Sequence, residues 1–572
     1  MATADITTDN SGRQRIAVKI ALREKGLIKQ VPGARYDGEL QSWTTRLSYT
    51  ACAQLSGIFK TALVVSPELQ EYAANGFRLS AEAKARGVEL DAVVPHWRQA
   101  ELSPLQRVGA DFLINGSAIL ADEMGGGKTV QATVALSVLS DGAERFHGLV
   151  VCPNSVKRVW ARHVEGWTLD LEVFVLKGSK GQREKILAEY MLCAKAVLVV
   201  NWEQLKAHSR LAPYGNIRLS DEDRRLKELN IPTFDVIIAD EAHRLKNPSS
   251  QQSRACFALR ANRRWALTGT PIANHPGDFW SILRFVDPDE WPSRSQYIDR
   301  YCVSQWNVFG GSDIIGINHT MRDEFYHLID RYFIRRLKRD LMGREITKTA
   351  EVRYVELPAK HRRMYNEFKA ELLLMLDADH AVAATNQLAA TSRLVQLSAA
   401  PLGISPVDPN QLVMLDPSPK VKELLSLIDD LDEPLVVFSS SKQLLYLAAD
   451  ALEKDGVPYL LATGDQSEEV RGDAVDRFQA GESRVFLATT GAMSEGVTLT
   501  RAKVLCFLHR DWSMVKNSQA EDRIHRWGQE ADAVTIIDII TEDTIDERVY
   551  DVFVTKKGRL DEVTRDSWKD LI

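Results

Sequence analysis

The sequence predicts an α/β fold of two successive parallel-sheet lobes, with helical insertions and a small β-containing module in front. Three observations lead there. "AILADEMGGGKTVQATVAL" (118–136) sets a glycine-rich turn between an apolar run and a helical pattern of apolar residues. "FDVIIADEAHRLKN" (234–247) is a second apolar run, and it ends in two acids. After residue 433, "EPLVVFSSSKQLLYLAADAL" and "RVFLATTGAMSEGVTLTRAKVLCFL" repeat strand, turn and helix.

At 572 residues the chain is too long for one core, so several domains are expected. Its 45% hydrophobic and 26% charged content is that of a globular protein, and no apolar run is long enough for a membrane span. The start, "MATADITTDNSGRQR", has no apolar signal core, so export is not expected. Cysteines 52, 152, 193, 256, 302 and 506 stand singly, which argues against structural zinc or a disulfide framework. The net charge of −6 means that any basic surface must be local.

Taken in order, residues 1–95 form the front module. "GLIKQVPGARYDGELQSWTTRLSYTACAQLSGIF" (26–59) reads as strands broken by a turn at Asp37–Gly38, with Val31, Tyr36, Trp43 and Leu47 as its apolar contacts. Lys19, Arg23, Lys25, Lys29, Arg35 and Arg46 make it locally basic.

Residues 96–275 form the first lobe. Its turn, Met124, Gly125, Gly126 and Gly127, lets backbone N–H groups close around phosphate oxygens, and the following helix adds its dipole. Lys128 would reach the β- and γ-phosphates, and the Thr129 hydroxyl would ligate Mg²⁺. Asp240 is assigned to the metal and Glu241 to the attacking water. By itself, that acid pair also reads as the acidic opening of a helix.

With "ALTGTPIAN" (266–274), these segments resemble the first motor lobe of a helicase-superfamily-two ATPase. "DEMGGGKT" and "DEAHRLKN" are similar to the Swi/Snf-like branch, whose members are double-stranded DNA translocases. The resemblance implies two tandem RecA-like lobes, ATP and Mg²⁺ as cofactors, and Gln106 of "LSPLQRVGADFL" as the adenine reader. Asp122 stands where the general phosphate-loop pattern has its first glycine, as in that branch; Gly126 replaces the branch's bulkier apolar residue.

Residues 276–432 are expected to hold helical protrusions and the inter-lobe linker. "DRYFIRRLKRDLMGREI" gathers Arg331, Arg335, Arg336, Lys338 and Arg339; alone it reads as a solvated helix face. It also resembles a block of the Swi/Snf-like insertions, which implies a part in lobe geometry and DNA contact by Arg335 and Arg336. "SAAPLGISPVDPNQLVMLDPSPK" (398–420) reads as the linker.

Residues 433–545 form the second lobe and 546–572 a C-terminal helical brace. "QAEDRIHRWGQ" (519–529) places Arg523 and Arg526 on one face of a helix, where two guanidiniums can clamp a γ-phosphate. It is similar to the last motif of the Swi/Snf-like ATPases, which implies Arg526 as arginine finger, Arg523 as a second phosphate contact, and Gln519 in the same catalytic set. The resemblance also assigns DNA-facing positions: Pro153 and Ser155, Asn201 and Trp202, Thr463 and Gly464, and Thr490 and Ser494. Their small hydroxyls and loop N–H groups suit a phosphate backbone.

"PGARYD…SW" resembles the HARP module of annealing helicases and makes Arg35, Tyr36 and Trp43 its recognition residues. The expected activity is ATP-driven translocation that remodels branched or partly single-stranded DNA, by a functional monomer inside the cell. Two other uses stay open: displacing RNA polymerase or nucleosomes with the same motor, and an ATP-gated DNA-binding scaffold.

Overall fold

The structure, a computed structural model, describes residues 2–9, 12, 14–31, 33–75, 101–208, 233–272, 276–306, 312–342, 346–378, 384–405, 408, 412–492, 497–526, 529–551 and 553–554. Two compact units divide the chain: Met1–Glu123 with Gly127–Leu341, and Met124–Gly126 with Met342–Leu571.

The first unit opens with a five-stranded sheet of β1 (Ala2–Thr8), β2 (Gln14–Lys19), β3 (Arg35–Asp37), β4 (Ser42–Arg46) and β5 (Leu63–Val65), in the order β3-β4-β2-β1-β5. The turn at Asp37–Gly38 closes the β3–β4 hairpin, pairing Tyr36 with Trp43. Ile16, Val18, Ile28, Val31, Leu55 and Phe59 fill its core. Two expectations are corrected here. Residues 49–59 are a helix, capped by the Ser48 side chain, and not strand. Tyr36 is 56% exposed, because it stands on β3, the edge strand of the sheet.

The helix Tyr49–Phe59 locks the module onto the rest of the unit. Its first N–H groups, at Tyr49 and Thr50, donate to the buried Glu290 carboxylate. Arg331 pairs with Glu290 at 3.5 Å and Asp287 at 3.1 Å, and its guanidinium covers the Tyr49 ring at 4.2 Å.

The main sheet of this unit contains β6 (Ala118–Leu120), β7 (Phe146–Cys152), β8 (Glu172–Val175), β9 (Lys195–Asn201), β10 (Phe234–Asp240) and β11 (Ala261–Leu267). Beyond the separate hairpin β12 (Cys302–Trp306) and β13 (Ser312–Ile317), β14 (Phe333–Ile334) completes the order β14-β6-β11-β10-β7-β9-β8. All neighbours are parallel. The runs "GLVVC", "VLVV" and "VIIA" are buried throughout, as strands covered on both faces must be.

In the second unit, β15 (Thr347–Val355) precedes the small hairpin β16 (Leu402–Ile404) and β17 (Leu412–Met414). There follow β18 (Leu435–Ser439), β19 (Tyr459–Ala462), β20 (Val485–Thr489), β21 (Val504–His509) and β22 (Ala533–Thr541), giving a parallel sheet β15-β22-β21-β18-β20-β19. This moves an expected boundary: β15 pairs with β22 along its whole length, so the second sheet already begins at Thr347 and not after residue 433. The expected brace at 546–572 is described only in part, as the helical stretch 545–551 and residues 553–554.

Candidate functional site

In the first unit the chemistry gathers where parallel strands end, which is where open α/β sheets bind ligands. β6 runs into the glycine loop, β10 ends at Asp240, and β11 lies between them. Gly125 and Gly127 adopt φ of 81° and 77°, a conformation that suits glycine, and the helix Lys128–Ser140 starts directly on Gly127 without a side-chain cap. Its first N–H groups are therefore available to an anion.

Lys128 Nζ donates to the carbonyls of Asp122 (2.8 Å) and Glu123 (3.3 Å). Burial holds its ammonium below the usual lysine range, while the carboxylates of Glu241, Asp122 and Asp240 pull it back up. Gln106 is buried in a capping box with Ser103. Its amide nitrogen lies so close to Gly127 that a Cβ there would meet it at 2.4 Å, which places the expected adenine reader against the loop.

Glu241 has φ 52° and ψ 51°, left-handed backbone that is costly for a residue with a Cβ. His243 Nδ1 lies 3.2 Å from Glu241 Oε2, 3.4 Å from Thr268 Oγ1 and 3.5 Å from Thr270 Oγ1. It thus ties the acidic turn to the turn after β11. The Thr129 hydroxyl and Asp240 carboxylate are hard oxygen donors of the kind Mg²⁺ takes, so the residues fit that ion.

The "YFIRR" segment is no helix. Its backbone runs beside the phosphate strand: the N–H groups of Ile119, Ala121 and Glu123 donate to the carbonyls of Tyr332, Ile334 and Arg336. Arg336 grips the fully buried Asp122, Nε to Oδ1 at 3.0 Å and Nη2 to Oδ2 at 2.6 Å. It also donates to Gln131 Oε1 at 2.7 Å and to the Leu105 carbonyl. Arg335 donates to the carbonyls of Ala121 and Gly269, both at 3.1 Å. Arg335 and Arg336, expected as DNA contacts, thus direct these guanidinium donors to protein acceptors.

Of the other DNA-facing positions, Pro153 and half-buried Ser155 follow β7. Asn201 ends β9 with its Nδ2 on Glu203 at 2.7 Å. Trp202 is corrected: it is fully buried, and its indole N–H points inward at Asp240.

In the second unit, β18, β20 and β19 are neighbours, and Thr490, Thr463 and Gly464 follow the last two. Thr463 and Thr490 are buried and Gly464 is exposed. Tyr446 braces the loop, with its hydroxyl 3.3 Å from Thr463 Oγ1 and donating to Asp465 Oδ2 at 2.8 Å, beside an ion pair of Asp465 with Lys442. Ser494 lies outside the described residues.

Gln519 is buried on the helix Met514–Glu521, which stops before Arg523 and Arg526. The two arginines therefore share no helical face, as was expected of them; they occupy a turn. Their guanidiniums still converge, both donating to the Val497 carbonyl at 3.1 and 3.2 Å. Burial lowers the pKa of Arg526, against the pull of Asp522.

The SNF2-related domain family matches residues 61–401, more than half of the chain, and the helicase conserved C-terminal domain matches residues 419–528. The chain belongs to the SNF2-related family. It is 28% identical over 494 residues to the Saccharomyces cerevisiae ISWI chromatin-remodeling complex ATPase ISW1, covering 82% of this chain and 41% of the relative. To the Danio rerio chromodomain-helicase-DNA-binding protein 1-like it is 27% identical, covering 82% and 44%. This SNF2-related chain thus spans less than half the length of those relatives. A solved Sulfolobus solfataricus SWI2/SNF2 ATPase core in complex with dsDNA aligns over 84% of this chain and 95% of its own, at 22% identity and a TM-score of 0.39. No helix of the described residues is long and apolar enough to cross a membrane.

Proposed function

We propose that this SNF2-related chain is a DNA-dependent ATPase that translocates on double-stranded DNA and remodels branched or partly single-stranded substrates. The observation that carries the ATPase reading is the gathering of Lys128, Thr129, Asp240 and Glu241 at one edge of one sheet in a member of this family. Mg²⁺, held by Thr129 and Asp240, would neutralise charge on the transferred phosphoryl group. Lys128 would exchange its two loop carbonyls for phosphate oxygens, and Glu241 would orient the attacking water. Arg526 is the candidate transition-state arginine, with Arg523 beside it.

The preference for branched DNA is supported by the front module. On the β3–β4 hairpin, exposed Tyr36 stands edge-on to Trp43 at 5.9 Å, next to exposed Arg35. An exposed ring beside a cation suits an unpaired base next to a phosphate.

The test is steady-state ATPase on equal masses of single-stranded, linear duplex, forked and junction DNA. Branched DNA should stimulate most, Tyr36→Ala should remove that preference, and Lys128→Ala should abolish turnover while DNA binding persists. Arg526→Ala should lower kcat on the order of 10³-fold. ATPase indifferent to every nucleic acid would sink the reading. Equal stimulation by linear and branched duplex would leave the motor and reject the branched substrate.

A further inference from the structure

Two buried tryptophans aim their indole N–H groups at one residue. Trp160 Nε1 donates to Asp240 Oδ2 at 2.7 Å, and Trp202 Nε1 donates to the Asp240 backbone carbonyl at 3.0 Å. Both indoles are fully buried. The second carboxylate oxygen, Oδ1, accepts the Glu241 N–H at 3.0 Å.

A buried indole needs an acceptor, and a main-chain carbonyl would serve. Trp202 takes such a carbonyl, that of Asp240, whereas Trp160, from a different element, takes the carboxylate of the same residue. Trp160 sits on the helix Lys157–Trp167 that leaves the β7 loop, and Trp202 opens the helix Trp202–His208 that leaves β9. An indole N–H only donates, so it fixes the orientation of the carboxylate that accepts it.

We propose that Trp160 and Trp202 are positioning residues for the metal-holding carboxylate, joining it to the segments that carry Pro153, Ser155 and Asn201. The inference rests on the reading of Asp240 as the Mg²⁺ ligand. Outer partners of metal ligands typically contribute about 10- to 100-fold in metal affinity.

The experiment measures binding of a fluorescent ADP to the full chain in EDTA and across a Mg²⁺ titration, with thermal melting of every variant. Trp160→Phe removes the N–H and keeps an aromatic ring. Trp167→Phe makes the same change at another buried position of the same helix. Trp160→Phe should leave affinity in EDTA within about twofold and raise the Mg²⁺ midpoint about 10-fold, while Trp167→Phe leaves that midpoint in place. If both variants shift the midpoint equally, or if affinity in EDTA falls as much as affinity with Mg²⁺, the role is mere packing and the proposal is overturned. Should Trp160→Phe not fold, Trp202→Phe carries the same expectation and the same refutation. Asp240→Asn separates the layers: an unmoved midpoint there brings down the metal reading itself, whereas a moved midpoint with an unmoved Trp160→Phe brings down only the positioning role.

Discussion

Replacing Arg336 by methionine separates two roles for this guanidinium, DNA contact and internal brace. The Arg336 side chain is 11% exposed, and its partner Asp122 is at 0%. Removing one member of a buried ion pair strands the other charge, at a cost of about 3–5 kcal/mol. Gln131 Nε2 still donates to Asp122 Oδ2 at 3.0 Å, which places the expected loss toward the lower end, about 3 kcal/mol. With about 2.1 cal/mol/K of unfolding entropy per residue, a unit of about 340 residues shifts by about 1.4 °C per kcal/mol, so the melting temperature should fall by roughly 4 °C. Adding Asp122→Asn removes the stranded charge, so the double variant should melt higher than Arg336→Met alone. The assay is thermal unfolding of the four members of this cycle, together with duplex-DNA affinity across a salt series. A brace predicts an unchanged salt slope, whereas a lost phosphate contact flattens the slope by about 0.9. A melting temperature within 2 °C of the parent, combined with a flattened slope, would refute the brace.

Three further outcomes are expected. Glu241→Gly should relieve the left-handed backbone and raise stability by about 1 kcal/mol in calorimetry while turnover is lost, and Glu241→Gln should lose turnover with no such gain. Gly127→Ala combines φ 77° with a Cβ contact of 2.4 Å to Gln106 Nε2, so it should destabilise by at least about 1 kcal/mol and weaken nucleotide binding; adding Gln106→Ala should recover only the contact's share of the stability. Burial pushes the His509 imidazole down to about 4, with Asp546 opposing and Lys420 reinforcing. The unfolded chain therefore binds this proton first as pH falls below about 6.5, and by pH 5 about 2 kcal/mol of stability should be lost. Urea midpoints at pH 7 and pH 5 should show that loss in the parent and a smaller one in His509→Gln.

What was legible in the sequence is what is local. The phosphate loop and the acidic strand end are contiguous patterns whose chemistry follows from neighbouring residues, and the β3–β4 hairpin announced itself at Asp37–Gly38. What was hidden depends on distant partners. β14 is only two residues long and exists because β6 offers it an edge, so a run of arginines that reads as solvated is instead folded inward. Trp160, Val164 and Trp167 recur at helical spacing and read as core; no local signal says that one indole meets Asp240 eighty positions later. The turn at Arg523 had the same cause: its carbonyl accepts the Leu499 N–H, a tertiary bond that replaces continued helix.

The lock between the front module and the first unit also sets an order of events at the ribosome. Tyr49 and Glu290 are 241 residues apart. At roughly 5–20 residues per second, the helix beginning at Tyr49 emerges on the order of tens of seconds before the carboxylate that caps it and the arginine that covers its ring. During that interval the module's docking face has no native partner, and it becomes part of a finished surface only once residue 331 has been made.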